Sequence, residues 1–295
     1  MNRYDKVMHR IRGGGRILID GATGTEIERR GVPQLDNAWN GGGALSHPDI
    51  LRKVHEDYIR QGAEIVISNT FATSRHALRD AGVEDQFERF NSRGVELAIE
   101  AREQLQRPDV LVAGGISYWS WSGDHPPLDA LQDGVAQQAV IMAAAGADLL
   151  MLEMMVDIDR MMVTLEAAQA SGLPVWAGLS CEPDAANAMC LVNGEPLSDA
   201  LAALSGEGVP LVSIMHTEVG HIDACLDVMQ DHWSGPIGVY AHTGDYADGK
   251  WIFDDTISPG DYAAGSRRWL ARGVQVIGGC CGIRVDHIAA LSEAV

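Results

Sequence analysis

The chain has 295 residues, 46% hydrophobic and 21% charged, with a formal net charge of −19. That length suits one large globular domain or two small ones. The acidic excess argues against nucleic-acid and anionic-membrane partners, which need basic surface, and no long uncharged apolar stretch offers a membrane span.

The first fifteen residues, MNRYDKVMHRIRGGG, lack the apolar centre of a signal peptide. The first eleven are expected as a helix or tail across the bottom of the fold. Eight short apolar runs then recur: Arg16–Asp20, Glu64–Ser68, Asp109–Gly114, Asp148–Glu153, Pro174–Ser180, Pro210–Met215, Pro236–Tyr240 and Gln275–Gly278. Several lack strict alternation, as parallel strands buried on both faces do. Gly62, Gly146, Gly208 and Gly273 stand just before such runs, where a glycine closes the preceding helix in a left-handed cap.

The segments between the runs read as helices. His47-Pro48-Asp49 starts one, with proline near the first turn, and Ile50, Val54 and Tyr58 share a face. Gln86–Leu105, Val156–Ser171 and Ser198–Ser205 are others. Eight strand–helix units over residues 1–295 predict a single-domain (β/α)8 barrel. A doubly wound sheet would usually carry fewer strands. Gly13–Gly15 and Gly41–Gly43 read as loops. Neither has the pattern of a phosphate cradle.

Barrel chemistry sits at the C-terminal strand ends. Those ends carry Asp20 to Thr25, Asn69-Thr70-Phe71, Ser117 with Tyr118-Trp119-Ser120-Trp121, Glu153, Ser180 to Glu182, His216-Thr217, His242-Thr243 and Cys280-Cys281. One face thus gathers acids, histidines, thiols and hydroxyls, while the other is mostly proline, glycine and alanine. That asymmetry points to an enzyme. The run Gly278-Gly279-Cys280-Cys281-Gly282 is the sharpest element. Adjacent cysteines seldom bond to each other. They suit a soft metal such as zinc, or else are buried as small hydrophobes. Five cysteines without a disulfide pattern predict a cytoplasmic protein.

Asp20-Gly21-Ala22-Thr23-Gly24-Thr25, Asn69-Thr70-Phe71, Glu153, Gly194-Glu195-Pro196-Leu197 and the Gly-Gly-Cys-Cys-Gly run together resemble the homocysteine S-methyltransferase family, including its betaine–homocysteine methyltransferase members. The resemblance spans strand 1 to strand 8. It implies a zinc barrel, active in methionine biosynthesis, that moves a methyl group from a small sulfonium or quaternary ammonium donor to a thiol such as homocysteine. Two zinc thiolates match Cys280 and Cys281. Asp20 and Glu153 match the acids that hold the acceptor's ammonium group, with Gly21, Ala22, Thr23 and Gly24 around its carboxylate. Trp39 matches an aromatic of the donor pocket, where a ring face attracts a methylated cation. Asn69 and Thr243 complete the implied substrate contacts. The implied partners are small molecules, and the implied assembly is a monomer or homodimer.

The chain departs from the family at its third thiolate. Met215-His216-Thr217 stands where the family carries Asn-Cys-Thr, and Ala241-His242 replaces Pro-Asn. His216 is therefore expected as the third zinc ligand, since Cys2His is a zinc set used in catalysis. An imidazole in place of a thiolate leaves the metal unit one charge more positive, which points toward a different acceptor thiol or a very reactive donor. The alternatives are a zinc hydrolase or lyase in which His216 or His242 acts on substrate, and a non-catalytic barrel that binds a small ligand. Tyr118, Trp119 and Trp121 are either an aromatic cage or packing at the barrel mouth. Asp20 would otherwise cap a helix, and Glu153 would pair with Arg160.

Overall fold

Parallel neighbours need crossovers long enough to hold a helix, and the chain supplies one between each pair of apolar runs. The structure, a computed structural model, describes residues 1–247, 250–253 and 257–295. Its barrel strands are β1 (Ile17–Leu18), β2 (Ile65–Ile67), β3 (Leu111–Ile116) and β4 (Leu149–Met155). They continue as β5 (Val175–Leu179), β6 (Val212–Glu218), β7 (Ile237–His242) and β8 (Val276–Ile277). All pair in parallel in the order β1-β8-β7-β6-β5-β4-β3-β2. A parallel bridge between Ile19 and Ile65 joins the two ends. The outcome is the expected (β/α)8 barrel.

Local signals account for most boundaries. The helix Pro48–Arg60 has proline in its first turn, and Val54 and Tyr58 are fully buried on its inner face. The expected helices appear as Phe87–Gln104, Ile158–Gln169 and Leu197–Leu204. Gly146 closes the helix Leu128–Ala145 with φ near +100°, a conformation that costs glycine little. Gly41–Gly43, expected as a loop, instead forms a 3-10 turn, Asn40–Gly42, leading into the helical turn Gly43–Ser46.

Four strands outrun their expected ends: β3 continues to Ile116, β4 to Met155, β6 to Glu218 and β7 to His242. β4 and β6 are the irregular ones. Each passes through an irregularity, between Leu152 and Met155 against β5 and between Met215 and Glu218 against β7. Within each lies a residue of positive φ, Met154 at +54° and His216 at +43°. Such bulges at a barrel rim turn side chains away from simple alternation.

The helix Arg3–Arg12 closes the barrel bottom, as expected. Met8 and Ile11 are buried there, and their burial contributes about 3–6 kcal/mol. Polar contacts fix its position. Arg3 meets Asp148 at 3.1 Å, and the side-chain amide of Gln275 donates to the Ile11 carbonyl at 2.6 Å. Trp176 donates its indole N–H to Tyr4 Oη at 3.1 Å. Among the described residues, no helix is long and apolar enough to cross a membrane.

Candidate active site

A cavity of about 900 Å³ opens at the C-terminal strand ends. Its deep corner is made by β6 and β8. The Gly-Gly-Cys-Cys-Gly turn lies against the ends of β1 and β7. Cys280 N–H donates to Ala241 O at 2.8 Å, Thr243 N–H to Cys281 O at 3.0 Å and Gly279 N–H to Asp20 O at 3.0 Å. A Cβ on Gly279 would lie 2.1 Å from the Ile283 side chain, so glycine is needed for the turn to fold back. The turn aims both thiols at β6, where the bulge presents His216. Cys280 Sγ is 3.4 Å from His216 Nδ1 and 3.9 Å from Cys281 Sγ. One ligating atom from each of the three lies within 4.8 Å of the others, the only such cluster of metal-binding side chains among the described residues. The neighbouring Cys281 and burial both push the Cys280 thiol well up, while His216 opposes them. Two thiols packed this closely resist losing protons unless a cation joins them. Cys181 and Cys225 are buried and do not line the cavity.

Two acids stand beside it. Asp20 is 1% exposed, just behind the cavity wall, and its Oδ2 accepts from Ile67 N–H at 2.8 Å. The neighbouring helix Thr23–Arg29 has Ala22 at its N-cap and no side-chain cap. Asp20 is therefore no helix cap; its other oxygen, Oδ1, has no hydrogen-bond partner. Burial pushes its carboxyl well up, and the nearby Glu153 adds to this. Glu153 is on the wall, 8% exposed, with its carboxyl pushed up to about 8 by burial. Arg160 pairs with Asp157 rather than with Glu153. The two acids thus form one electrostatic unit with no cationic partner among the described residues.

The outer wall is aromatic. Trp39 lies 6.4 Å from Phe71 and 6.5 Å from Trp121, and Phe71 lies 5.8 Å from Trp121. A Cβ on Gly24 would sit 2.7 Å from the Trp39 ring, so that glycine makes room for the indole. Trp119 also lines the cavity.

A model of the family described as homocysteine S-methyltransferase matches residues 17–295. The chain belongs to the homocysteine S-methyltransferase family. It is therefore a methyltransferase that acts on a thiol. Homocysteine S-methyltransferase 2 of Zea mays is 27% identical, over 96% of this chain and 90% of the relative. The homocysteine S-methyltransferase of Escherichia coli is 28% identical, over 93% and 94%. The selenocysteine Se-methyltransferase of Brassica oleracea var. italica is 26% identical, over 95% and 89%. Among solved structures, the metallated form of the homocysteine methyltransferase MmuM from Escherichia coli superposes with a TM-score of 0.79 and 26% identity. That match covers 95% of this chain and 96% of the other.

In this homocysteine S-methyltransferase barrel, Gly21, Ala22, Thr23, Gly24, Trp39, Asn69, Glu153, His216, Cys280 and Cys281 all line the one cavity. Two expectations need correction, and Tyr118 takes the packing alternative. Ala22 N–H already donates to Ile283 O at 2.9 Å, so it is not a spare amide. Thr243 packs against the Cys281–Gly282 backbone and is not among the lining residues. Tyr118 belongs to no cage: it is fully buried, and its hydroxyl accepts from Val156 and Asp157 N–H at 2.7 and 3.0 Å. Phe71, Met154, Met215 and Tyr240 line the cavity without having been assigned to it. Phe71 was legible from its place in the Asn69-Thr70-Phe71 strand end. The two methionines were not, because period-2 alternation sends neighbours of Glu153 and His216 to the other face and only the bulges bring them back.

Proposed function

We propose that the chain is a zinc-dependent S-methyltransferase, with His216, Cys280 and Cys281 holding the metal. One observation carries this reading: residues 64 apart in sequence place an imidazole nitrogen 3.4 Å from a thiol that has a second thiol at 3.9 Å. Tetrahedral zinc bonds of about 2.3 Å to sulfur and 2.0–2.1 Å to nitrogen set S···S and S···N separations of roughly 3.8 and 3.6 Å. The donor set fits. Bound zinc supplies a Lewis acid that lowers the pKa of a thiol in its open fourth position.

The chain's own residues do the rest. Asp20 and Glu153 bind the acceptor's ammonium group, whose charge offsets the repulsion between two carboxylates. Glu153 gives up its proton as that cation arrives. The amides of Gly21, Thr23 and Gly24 face the acceptor carboxylate, and Asn69 orients the substrates. Trp39, with Phe71 and Trp121, holds the cationic donor by its ring faces. The methyl group moves to the acceptor sulfur as its bond to the donor's sulfur or nitrogen breaks, which discharges the donor cation. Homocysteine is the first acceptor to test, with other small aminothiols beside it. A His242 base for water activation finds no support, because burial and the adjacent His216 push that ring down to about 3. Five free thiols support a cytoplasmic setting, and a monomer or homodimer of one domain, residues 1–295, belongs to the same reading.

Elemental analysis of protein prepared without chelator is the test. Wild type is expected to carry close to one zinc, His216→Ala to lose it, and His216→Cys to keep it. With both cysteines reduced and zinc supplied, a content below about a tenth of an equivalent rejects the site.

A further inference from the structure

The short helix Arg75–Asp80 contributes no residue to the cavity lining, yet the segments that carry the aromatic wall are all tied to it. Phe71 stands in the segment that enters this helix through its N-cap, Ser74, whose hydroxyl accepts from Ala77 N–H at 3.4 Å. Within the helix, His76 is 5% exposed, and its Nε2 lies 3.1 Å from the Trp119 carbonyl. A carbonyl only accepts, so Nε2 carries the hydrogen and donates it. At the helix end, Asp80 takes hold of the same loop beyond Trp121. Ser122 Oγ donates to Asp80 Oδ2 at 2.7 Å and accepts from Asp124 N–H at 3.2 Å. The Asp80 carbonyl also accepts from the side-chain amide of Asn37 at 3.1 Å. Two residues after Asn37, Trp39 has φ of +41°, a conformation that a non-glycine residue keeps only where its surroundings over-determine it. Contacts between aromatic rings are worth only about 0.5–1.5 kcal/mol each. The spacing of Trp39, Phe71 and Trp121 is therefore set by the main chain that carries them, and one six-residue helix anchors that chain at each of its three approaches.

We propose that His76 and Asp80 are positioning residues for the methyl donor: by fixing the loop on either side of Trp121, they hold that ring against Phe71 and Trp39, the arrangement that receives a small methylated cation. The proposal rests on the reading of those three rings as the donor site.

Trimethylsulfonium is the probe, because it presents the methylated cation without an acceptor or turnover. Calorimetry reads its binding to the full chain. His76→Leu removes the N–H, His76→Gln keeps a side-chain N–H donor, and Ser122→Ala removes the hydroxyl that Asp80 holds. His76→Leu and Ser122→Ala are each expected to bind the probe about 3–10-fold more weakly, within the worth of one cation over a ring. His76→Gln is expected to recover most of the loss. In turnover, the donor KM rises in step and the acceptor KM does not. Unchanged probe binding in His76→Leu or in Ser122→Ala overturns the proposal. So does an equal loss in His76→Leu and His76→Gln, or a parallel rise in acceptor KM, either of which assigns the effect to packing. If His76→Leu fails to fold, Ser122→Ala, at an exposed position, decides the matter. Trp39→Ala separates the two readings. Probe that binds Trp39→Ala as well as wild type, or fails to bind wild type, removes the donor site and the proposal with it. Loss in Trp39→Ala with full binding in His76→Leu and Ser122→Ala removes the positioning role alone.

Discussion

Strand β4 has an acid at its entry and another near its exit, and the two have very different surroundings. Asp148, at the barrel bottom, accepts from Arg3 and Arg102 at 3.1 Å and from Val112 N–H at 2.9 Å. Glu153, at the top, has neither a hydrogen bond nor a salt bridge among the described residues, and burial pushes its carboxyl up to about 8. A similar contrast recurs at other residues of the two ends. At the bottom, Glu64 takes Arg10 and Gln275 takes Ile11. At the top, Asp20 Oδ1 and the Tyr240 hydroxyl are buried without partners. Each unsatisfied buried group costs about 1–3 kcal/mol. One end of the strands is built for stability, and the other leaves polar groups waiting for a ligand.

Breaking the bottom should give the largest effect on folding. Asp148→Asn removes the negative charge shared by two guanidinium groups and should lower the unfolding free energy by about 3 kcal/mol. Urea titration measures that loss, and kcat of the folded fraction should not move. A fall in kcat with unchanged stability would contradict this division of labour.

Glu153→Gln tests the top. It should weaken acceptor binding by about 1–3 kcal/mol, the range for charged hydrogen bonds, as read by calorimetry. Its effect on stability has the opposite sign to that of Asp148→Asn. In the folded apo protein Glu153 keeps its proton to about 8, against 4.5 for an ordinary glutamate. Between those values the unfolded chain binds fewer protons, so wild-type stability falls as pH rises, by up to about 1.4 kcal/mol per unit. Glu153→Gln should flatten that fall in urea titrations across the window. A slope identical to wild type would show that Glu153 is already ionised.

Trp39→Ala should weaken donor binding by about 0.5–2 kcal/mol, the range of a cation over a ring, seen as a higher donor KM. Zinc content should not change, and a parallel loss of metal would make Trp39 a packing residue. The smallest effect is expected at Tyr240. Tyr240→Phe removes a buried hydroxyl that has no partner and should stabilise the apo protein by about 1 kcal/mol. Destabilisation in urea would mean that the hydroxyl is satisfied.

Much of this was legible in the sequence because it is local. Apolar runs, helix starts such as Pro48 and left-handed caps such as Gly146 depend on a few neighbouring residues, and their repetition was enough to predict the barrel. The acids and thiols at the top were legible for the same reason, since each ends an apolar run and chemistry collects at that end. Limits appear where a residue's neighbours along the chain do not decide its direction. Tyr118 stood in an aromatic run beside Trp119 and Trp121, yet its hydroxyl is used by the backbone of Val156 and Asp157. Thr243 followed a strand end and still packs behind the cysteine turn.

The sequence by itself determined the strand–helix alternation, the glycines that let the cysteine turn close, and the set of groups delivered to one face. Only the tertiary structure decided which of them meet. His216 reaches Cys280, and Met154 and Met215 enter the cavity, because bulges in β4 and β6 turn the chain through positive φ. A bulge is a property of two strands in register, and register is set by barrel closure and by neighbours far away in sequence. The pairing of Asp148 with Arg3 across 145 residues arises in the same way, once closure has brought the N-terminal helix beneath β4.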